Sequence, residues 1–304
     1  MIRPIFLKKI FIFFILFSFI KISWGKEKIK ILTYSSFMDK GGLGEWIQQQ
    51  RPDIEFQTSK DFSGILGELR KLKRQNKLSS IDLVLGLNEI NYKSALQEKL
   101  IEQGVPFEKS GYTILVNKKL LKEEQWPHSW KELAEKFSKK ILVQDPRTSE
   151  IGLAWLLNAK GLGNISLVEA KKIPLKVFPK WSSSFGAFAN EMAPMIWTYT
   201  TSLAFYRCQN SDKNYANLPL PNYPFDTNYV ATTIGNSNET LVQTIKYLSS
   251  KDVQEKIWQK NWMFPASNSQ APSCYKNISI PKNSKALRFY NSSQILGWLD
   301  EWSL

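Results

Sequence analysis

The residues best placed to do chemistry lie in Trp197-Thr198-Tyr199-Thr200-Thr201-Ser202, within the string MAPMIWTYTTSLAFY. An apolar run from Ala193 to Trp197 reads as a buried strand. After Ser202, Leu203, Phe205 and Tyr206 follow a helical pattern. Thr and Ser at such a junction are good N-caps. Open α/β sheets bind ligands beyond the carboxyl ends of their strands, where the free N–H groups of the next helix point. A turn of this kind presents donors, hydroxyls and rings to a small flat ligand. An ordinary capped helix with core aromatics fits the same string, so the surrounding elements must decide.

Those elements alternate. Lys28 to Tyr34 predicts a first strand, ending in Ser35-Ser36-Phe37 and a glycine-rich turn. Glu45 to Gln50 begins a helix, and Ile54 to Gln57 is a second strand. Asp61 caps a helix bearing Phe62, Ile65, Leu66, Leu69 and Leu72, and Ile81 to Leu87 is a buried strand. This β-α-β-α-β order implies a mostly parallel sheet with helices on both faces. Tyr112 to Asn117 predicts a strand crossing into a second lobe. There, Ile141 to Gln144 is a strand, and the turn Asp145-Pro146-Arg147-Thr148-Ser149-Glu150 opens a helix. A Pro- and Asn-rich stretch, Leu218 to Asn228, precedes Tyr229 to Ile234, the predicted return strand.

The chain has 304 residues, 43% of them hydrophobic, and a net charge of +14. Its N-terminus pairs a basic MIRPIFLKK with the apolar run IFIFFILFSFI, too short to span a bilayer comfortably. Ser23-Trp24-Gly25 offers small residues at a cleavage site, so residues 1–25 read as a signal peptide. They carry four basic residues and no acid, leaving +10 on the remainder. The lysines are spread over helix faces, and no stretch alternates aromatics with arginines as a nucleic-acid surface does. Cys208 and Cys274 can pair or stay free thiols; spacing does not decide. His128 sits in a surface turn beside the N-cap Ser129. One histidine and no C-x-x-C pair argue against zinc, and no cofactor is expected.

Four strings, Asp82-Leu83-Val84-Leu85-Gly86-Leu87, Gln144-Asp145-Pro146-Arg147-Thr148-Ser149, Tyr199-Thr200-Thr201-Ser202 and Asn261-Trp262-Met263-Phe264-Pro265, line up with one family. With the leader and Lys180-Trp181, the chain resembles the periplasmic thiamine-binding proteins of ABC importers. The resemblance implies a two-lobed α/β solute-binding fold of type II, each lobe a mostly parallel sheet, joined by two crossing strands. The division expected is 26–112 with 233–304 in lobe 1, and 113–232 in lobe 2. The family pattern carries over to Tyr34 near the cleft, Asp61 at a helix head, Ser149 as a hydroxyl, and Trp181 and Trp262 as stacking rings. Tyr199, Thr200, Thr201 and Ser202 match a run of contacts. The resemblance also implies membrane permease subunits as partners, a periplasmic location, a monomer, and no catalysis.

Three departures bear on the ligand. Phe62 stands where the family has Gly, Glu150 replaces a hydroxyl residue beside Ser149, and Phe205 replaces a hydroxyl-bearing aromatic. A carboxylate at that helix start repels phosphate, so thiamine is expected over its phosphate esters. Rival ligands on the same fold are ferric iron, through Tyr199 with Tyr206 or Tyr34, and polyamines, through Asp61, Glu150 and Trp181. A thiamine-cleaving enzyme needs a cysteine nucleophile in the first lobe, and none precedes Cys208.

Overall fold

Alternation of apolar residues along the first strand sets the layering. In β1 (Ile29–Thr33), Ile29 and Ile31 join one apolar cluster and Leu32 joins another on the opposite face. Helix α1 (Leu43–Gln50) covers the first with Leu43 and Ile47. After β2 (Ile54–Thr58), α2 (Gly64–Arg74) covers the second with Ile65, Leu66 and Leu69. β3 (Leu83–Asn88) is buried along its length, and the Asn88 side chain caps α3 (Glu89–Gln97). β2, β1 and β3 pair in parallel. β4 (Val105–Asn117) then runs thirteen residues and leaves this lobe.

The second lobe repeats the scheme. It comprises α4 (Trp130–Lys136), β5 (Ile141–Gln144), α5 (Glu150–Gly161), α6 (Leu167–Lys172), β6 (Pro174–Phe178), α7 (Trp181–Ala189), β7 (Met195–Tyr199), α8 (Ser202–Cys208) and β8 (Tyr215–Asn217). β5 lies parallel to β6 and β7. Its residues alternate as before: Ile141 and Val143 face a cluster built on Trp130, Trp155 and Trp197, while Leu142 faces the other. β9 (Pro224–Thr232) returns the chain. α9 (Glu239–Leu248), α10 (Lys251–Lys260), β10 (Phe264–Pro265), β11 (Lys285–Ala286) and α11 (Ser292–Ser303) follow.

These elements belong to a computed structural model that describes residues 28–59, 64–161, 165–210, 212–221, 223–278, 285–286, 290 and 292–303. The expected leader, 1–25, lies outside the described residues. Strand order is β2-β1-β3-β9-β4-β7-β5-β6. β4 is antiparallel to β9 over its first half and to β7 over its second, so β4 and β9 join two lobes that are parallel elsewhere. The expected two-lobed α/β fold is therefore present.

Three details differ from the sequence reading. β4 begins at Val105 and β9 at Pro224, each several residues before the predicted strand. Pro is tolerated at the first residue of a strand, and the acids Glu108 and Asp226 hide the apolar pattern although both are buried. Tyr290, Ile295 and Trp302, at the chain's end, pack with Trp130 and Trp155 of the second lobe, whereas the boundary at 233 groups them with the first. An amphipathic helix after a polar stretch carries no sign of which face it will cover. His128 is exposed, as expected.

Cys208 and Cys274 form a disulfide, tying α8 of the second lobe to the segment after β10. Their separation of 66 residues makes the bond worth ~4 kcal/mol in the chain-entropy account. The double variant Cys208→Ser/Cys274→Ser should lose ~2–4 kcal/mol of unfolding free energy in urea titrations. An unchanged midpoint would mean that this tie contributes nothing.

Candidate functional site

Three carboxylates meet where the lobes join. Glu108 on β4 and Asp226 on β9 are completely buried, and Glu150 at the start of α5 is half-buried. Asp226 accepts from the backbone N–H of Glu89 (2.9 Å) and of Thr227 (2.8 Å), and from the Tyr112 hydroxyl (3.4 Å). Glu150 accepts from Asn91 Nδ2 across the lobes at 3.2 Å. Glu108 accepts from the Tyr34 hydroxyl at 3.0 Å and Asn228 Nδ2 at 2.9 Å, and also from Asn261 Nδ2. No lysine or arginine pairs with these three acids among the described residues.

Burial, and then the Asp226 charge, push the Glu150 carboxyl up to about 8. Burial pushes Asp226 up to about 7. Burial raises Glu108 as well, against the hydrogen bonds it accepts. The Tyr199 phenol is held far above its ordinary value by burial and then by Glu150, Glu108 and Asp226 in turn. Carboxylates gathered in a poorly solvated place cannot all stay ionised without a counter-charge. Protons supply it in the free protein, and a bound cation can replace them.

Aromatic rings border this acidic cluster. Tyr199 stacks on Tyr112 at 5.7 Å and meets Trp181 at 6.3 Å. Trp181 stacks on Phe185 (4.8 Å), Phe185 meets Phe205 (5.8 Å), and Phe205 meets Trp262 of the first lobe (5.4 Å). Trp262 has φ of 55°, a left-handed conformation that costs an L residue roughly 1–2 kcal/mol. Tyr34 stands on Gly86: with φ of 98°, that residue sits at a register slip in β3, and a Cβ there would overlap the Tyr34 ring. Beside the cluster, a cleft of ≈ 260 Å3 between the lobes is lined by Gly67, Asn91, Ser149, Glu150 and, from α11, Leu296 and Leu299. Glu150 belongs to both.

The opening turn is built differently from its sequence reading. Trp197 is a core residue whose Nε1 donates to the Ile151 carbonyl at 2.8 Å. The Thr and Ser hydroxyls do not cap α8: Thr201 holds the N-cap position with no side-chain bond. The Ser202 hydroxyl bonds that of Thr198 at 2.8 Å, which in turn accepts from Trp181 Nε1 at 2.8 Å. The Thr200 N–H donates to the Gly111 carbonyl at 2.7 Å, and its buried Oγ1 has no partner among the described residues. The Thr198 and Ser202 hydroxyls therefore orient the Trp181 ring, and the turn is tied to β4 at Gly111, where its pairing passes from β9 to β7.

Of the residues expected at the site, Tyr34, Glu150, Trp181, Tyr199, Phe205 and Trp262 come together around the acids and rings, and Ser149 lines the adjoining cleft. Asp61 and Phe62 lie outside the described residues; Gly64, just after them, lines the cleft. Tyr206 stacks on Tyr215 and packs with Phe185, Phe205 and Trp262, not in the clusters that hold Tyr34 and Tyr199. Sequence reasoning missed Glu108, Asp226, Asn91 and Asn261. An acid inside a strand pattern, as in Val105-Pro106-Phe107-Glu108, is the signal that could have found the first two.

Residues 70–289 match the family model of the bacterial extracellular solute-binding protein. The chain is similar to the thiamine-binding periplasmic protein of Brucella melitensis, at 27% identity over 91% of each chain. It is also similar in structure to a periplasmic thiamin binding protein, with a TM-score of 0.75, 24% identity, and coverage of 90% and 94% of the two chains. A ferric binding protein from Campylobacter jejuni superposes with a TM-score of 0.68 at 13% identity, covering 91% and 97%.

The raised carboxyls fix how stability depends on pH. Unfolded carboxyls titrate near about 4, whereas Glu150 and Asp226 hold their protons to about 8 and about 7 in the folded chain. The folded state thus binds more protons across that window, and their contribution to stability falls as pH rises through it. The ligand-free protein should lose less melting temperature between pH 5 and pH 8 as Glu150→Gln than as wild type. Equal losses in thermal melts would show that Glu150 ionises without penalty.

Proposed function

The chain belongs to the bacterial extracellular solute-binding proteins, and we propose that it captures thiamine between its lobes and delivers it to an ABC-type membrane importer. The observation that carries the ligand is the trio of buried Glu108 and Asp226 with half-buried Glu150 at the cleft, without a basic partner among the described residues and bordered by rings. Such a site favours a flat organic cation. Thiamine joins a cationic thiazolium to an aminopyrimidine and a hydroxyethyl tail. Each aromatic face turned to that cation contributes roughly 0.5–2 kcal/mol. The names of the relatives point to the same ligand.

In this reading Trp181, Tyr199 and Trp262 stack on or edge the ligand, with Phe205 supporting Trp262. Glu150 and Asp226 offset its charge, and Tyr34 and the open Thr200 hydroxyl offer hydrogen bonds. Ser202 acts through the Thr198 hydroxyl on Trp181, and Thr201 shapes the turn. Ser149 receives the tail and Asp61 the amino group, with Phe62 beside it. The lobes, 26–112 with the chain from 233 up to its last helix, and 113–232 with that helix packed on it, close about β4 and β9. Ligand favours the closed form because only there do both lobes touch it. The leader at 1–25 and the periplasmic relatives support a periplasmic location, and the chain works as a monomer.

Two rivals are less well supported. A ferric site through Tyr199 with Tyr206 or Tyr34 lacks its second phenol: Tyr206 stacks on Tyr215, and the Tyr34 hydroxyl is engaged by Glu108 and Asn261. A thiamine-cleaving enzyme needs a free thiol, and both cysteines are in the disulfide.

Tryptophan fluorescence of purified residues 26–304 tests the ligand, with thiamine, spermidine and ferric citrate as separate titrants. A saturable response to thiamine that is lost in Trp181→Ala supports the reading. A response to spermidine or iron alone overturns it. Thiamine monophosphate tests Glu150, whose charge beside Ser149 opposes a phosphate at the start of α5. Thiamine should bind about tenfold more tightly than its monophosphate, a gap of about 1.4 kcal/mol. Glu150→Gln should narrow it, and comparable affinities in the wild type would refute that role.

A further inference from the structure

Glu108 has a second feature that charge alone does not explain. Its carboxylate gathers donors from three segments far apart in the chain: the Tyr34 hydroxyl after β1, Asn228 on β9, and Asn261 after α10. Asn261 Nδ2 also donates to the Tyr34 hydroxyl at 2.7 Å, closing a ring of contacts. Asn228 lies directly opposite Glu108 in the β4–β9 ladder, and Pro265 of β10 lies opposite it on the other side. The β4–β9 register slips between Pro106 and Glu108. Bulges of this kind re-aim a side chain, and here the slip adjoins the residue that collects the donors.

Asn261 directly precedes Trp262. A bulky residue in left-handed conformation persists only when its surroundings hold it there. Both flanks of Trp262 are held, and both by β4. On one side the Asn261 side chain is fixed by Glu108. On the other, Met263 is buried and Phe264 pairs with Lys109 of β4. The Trp262 ring then reaches Phe205 of the second lobe.

We propose that Glu108 is a positioning residue of the cleft, anchoring Tyr34 and Asn261, and through Asn261 the Trp262 ring, to the strand about which the lobes join. The assignment rests on the reading of the cleft as a ligand site bordered by Trp262. A carboxylate suits this post because it only accepts, and so it can serve several converging donors at once. Glutamine would turn an N–H2 group towards one of them and break that contact.

The test labels the protein with 5-fluorotryptophan and follows the Trp262 signal by 19F NMR in the ligand-free state, assigned with Trp262→Phe. Trp155 and Trp197, buried in the second lobe, report whether the fold is intact. Glu108→Gln should shift and broaden the Trp262 signal, leave the other two in place, and raise the Kd for thiamine about tenfold. Asn261→Ala, which cuts only the last link, should move the same signal. The swap Glu108→Gln/Asn261→Asp, which exchanges donor and acceptor between the two positions and lets the Tyr34 hydroxyl donate to the new carboxylate, should return it towards its wild-type position. A Trp262 signal unmoved in Glu108→Gln overturns the proposal; should that variant not fold, an unmoved signal in Asn261→Ala does the same. The NMR readout needs no ligand, so a wild type that ignores thiamine would sink the ligand reading while the Trp262 signal still decides the role of Glu108.

Discussion

Glu108, Glu150 and Asp226 share a poorly solvated space in which their charges cannot coexist unaided, and the site is arranged around that constraint. Each belongs to a different element: the outgoing strand β4, the first turn of α5 and the return strand β9. Folding brings them together because β4 and β9 pair across the junction of the lobes. In the empty protein, burial and mutual repulsion favour the protonated forms of these acids. In the proposed reading a cationic ligand takes the place of those protons.

The surrounding framework fixes rings and acids relative to one another. Tyr34 rests on Gly86, where only the lack of a Cβ lets the ring approach. Trp181 is oriented by the hydroxyl pair Thr198 and Ser202. Tyr199 ends the central strand β7 and stacks on Tyr112 of β4. Trp262 enters from the first lobe and meets Phe205 from the second. Rings from both lobes thus border one space, the geometry a closing cleft requires. The shared fold does not choose the ligand, because the ferric binding protein from Campylobacter jejuni superposes on the same frame. In the proposed reading that choice falls to the acids and rings.

Much of this is legible in the sequence. Alternation in Lys28 to Tyr34 and the apolar run at Ile81 to Leu87 locate β1 and β3 within a residue or two. The family strings locate Tyr199, Trp181 and Trp262. Glu108 and Asp226 escape, because an acid in a strand pattern reads as a solvent-facing residue until its partner strand is known. Here the partners are 120 positions apart, as the Asn228–Glu108 bond shows. The hydroxyls at Thr201 and Ser202 read as caps because capping is their commonest use; only the position of Trp181 redirects Ser202. The Cys208–Cys274 pairing stays open for a similar reason, since a separation of 66 positions says nothing about distance in space.

The claim that the acids exist to hold a cation is tested most directly by isothermal titration of the protein with thiamine and with its neutral 3-deaza isostere. The two have nearly the same shape and differ in the charge of one ring. If the acidic cluster supplies the affinity, the neutral compound should bind on the order of a hundredfold more weakly, or about 2.7 kcal/mol. Equal affinity for the two would contradict the account and leave shape and stacking as the basis of binding.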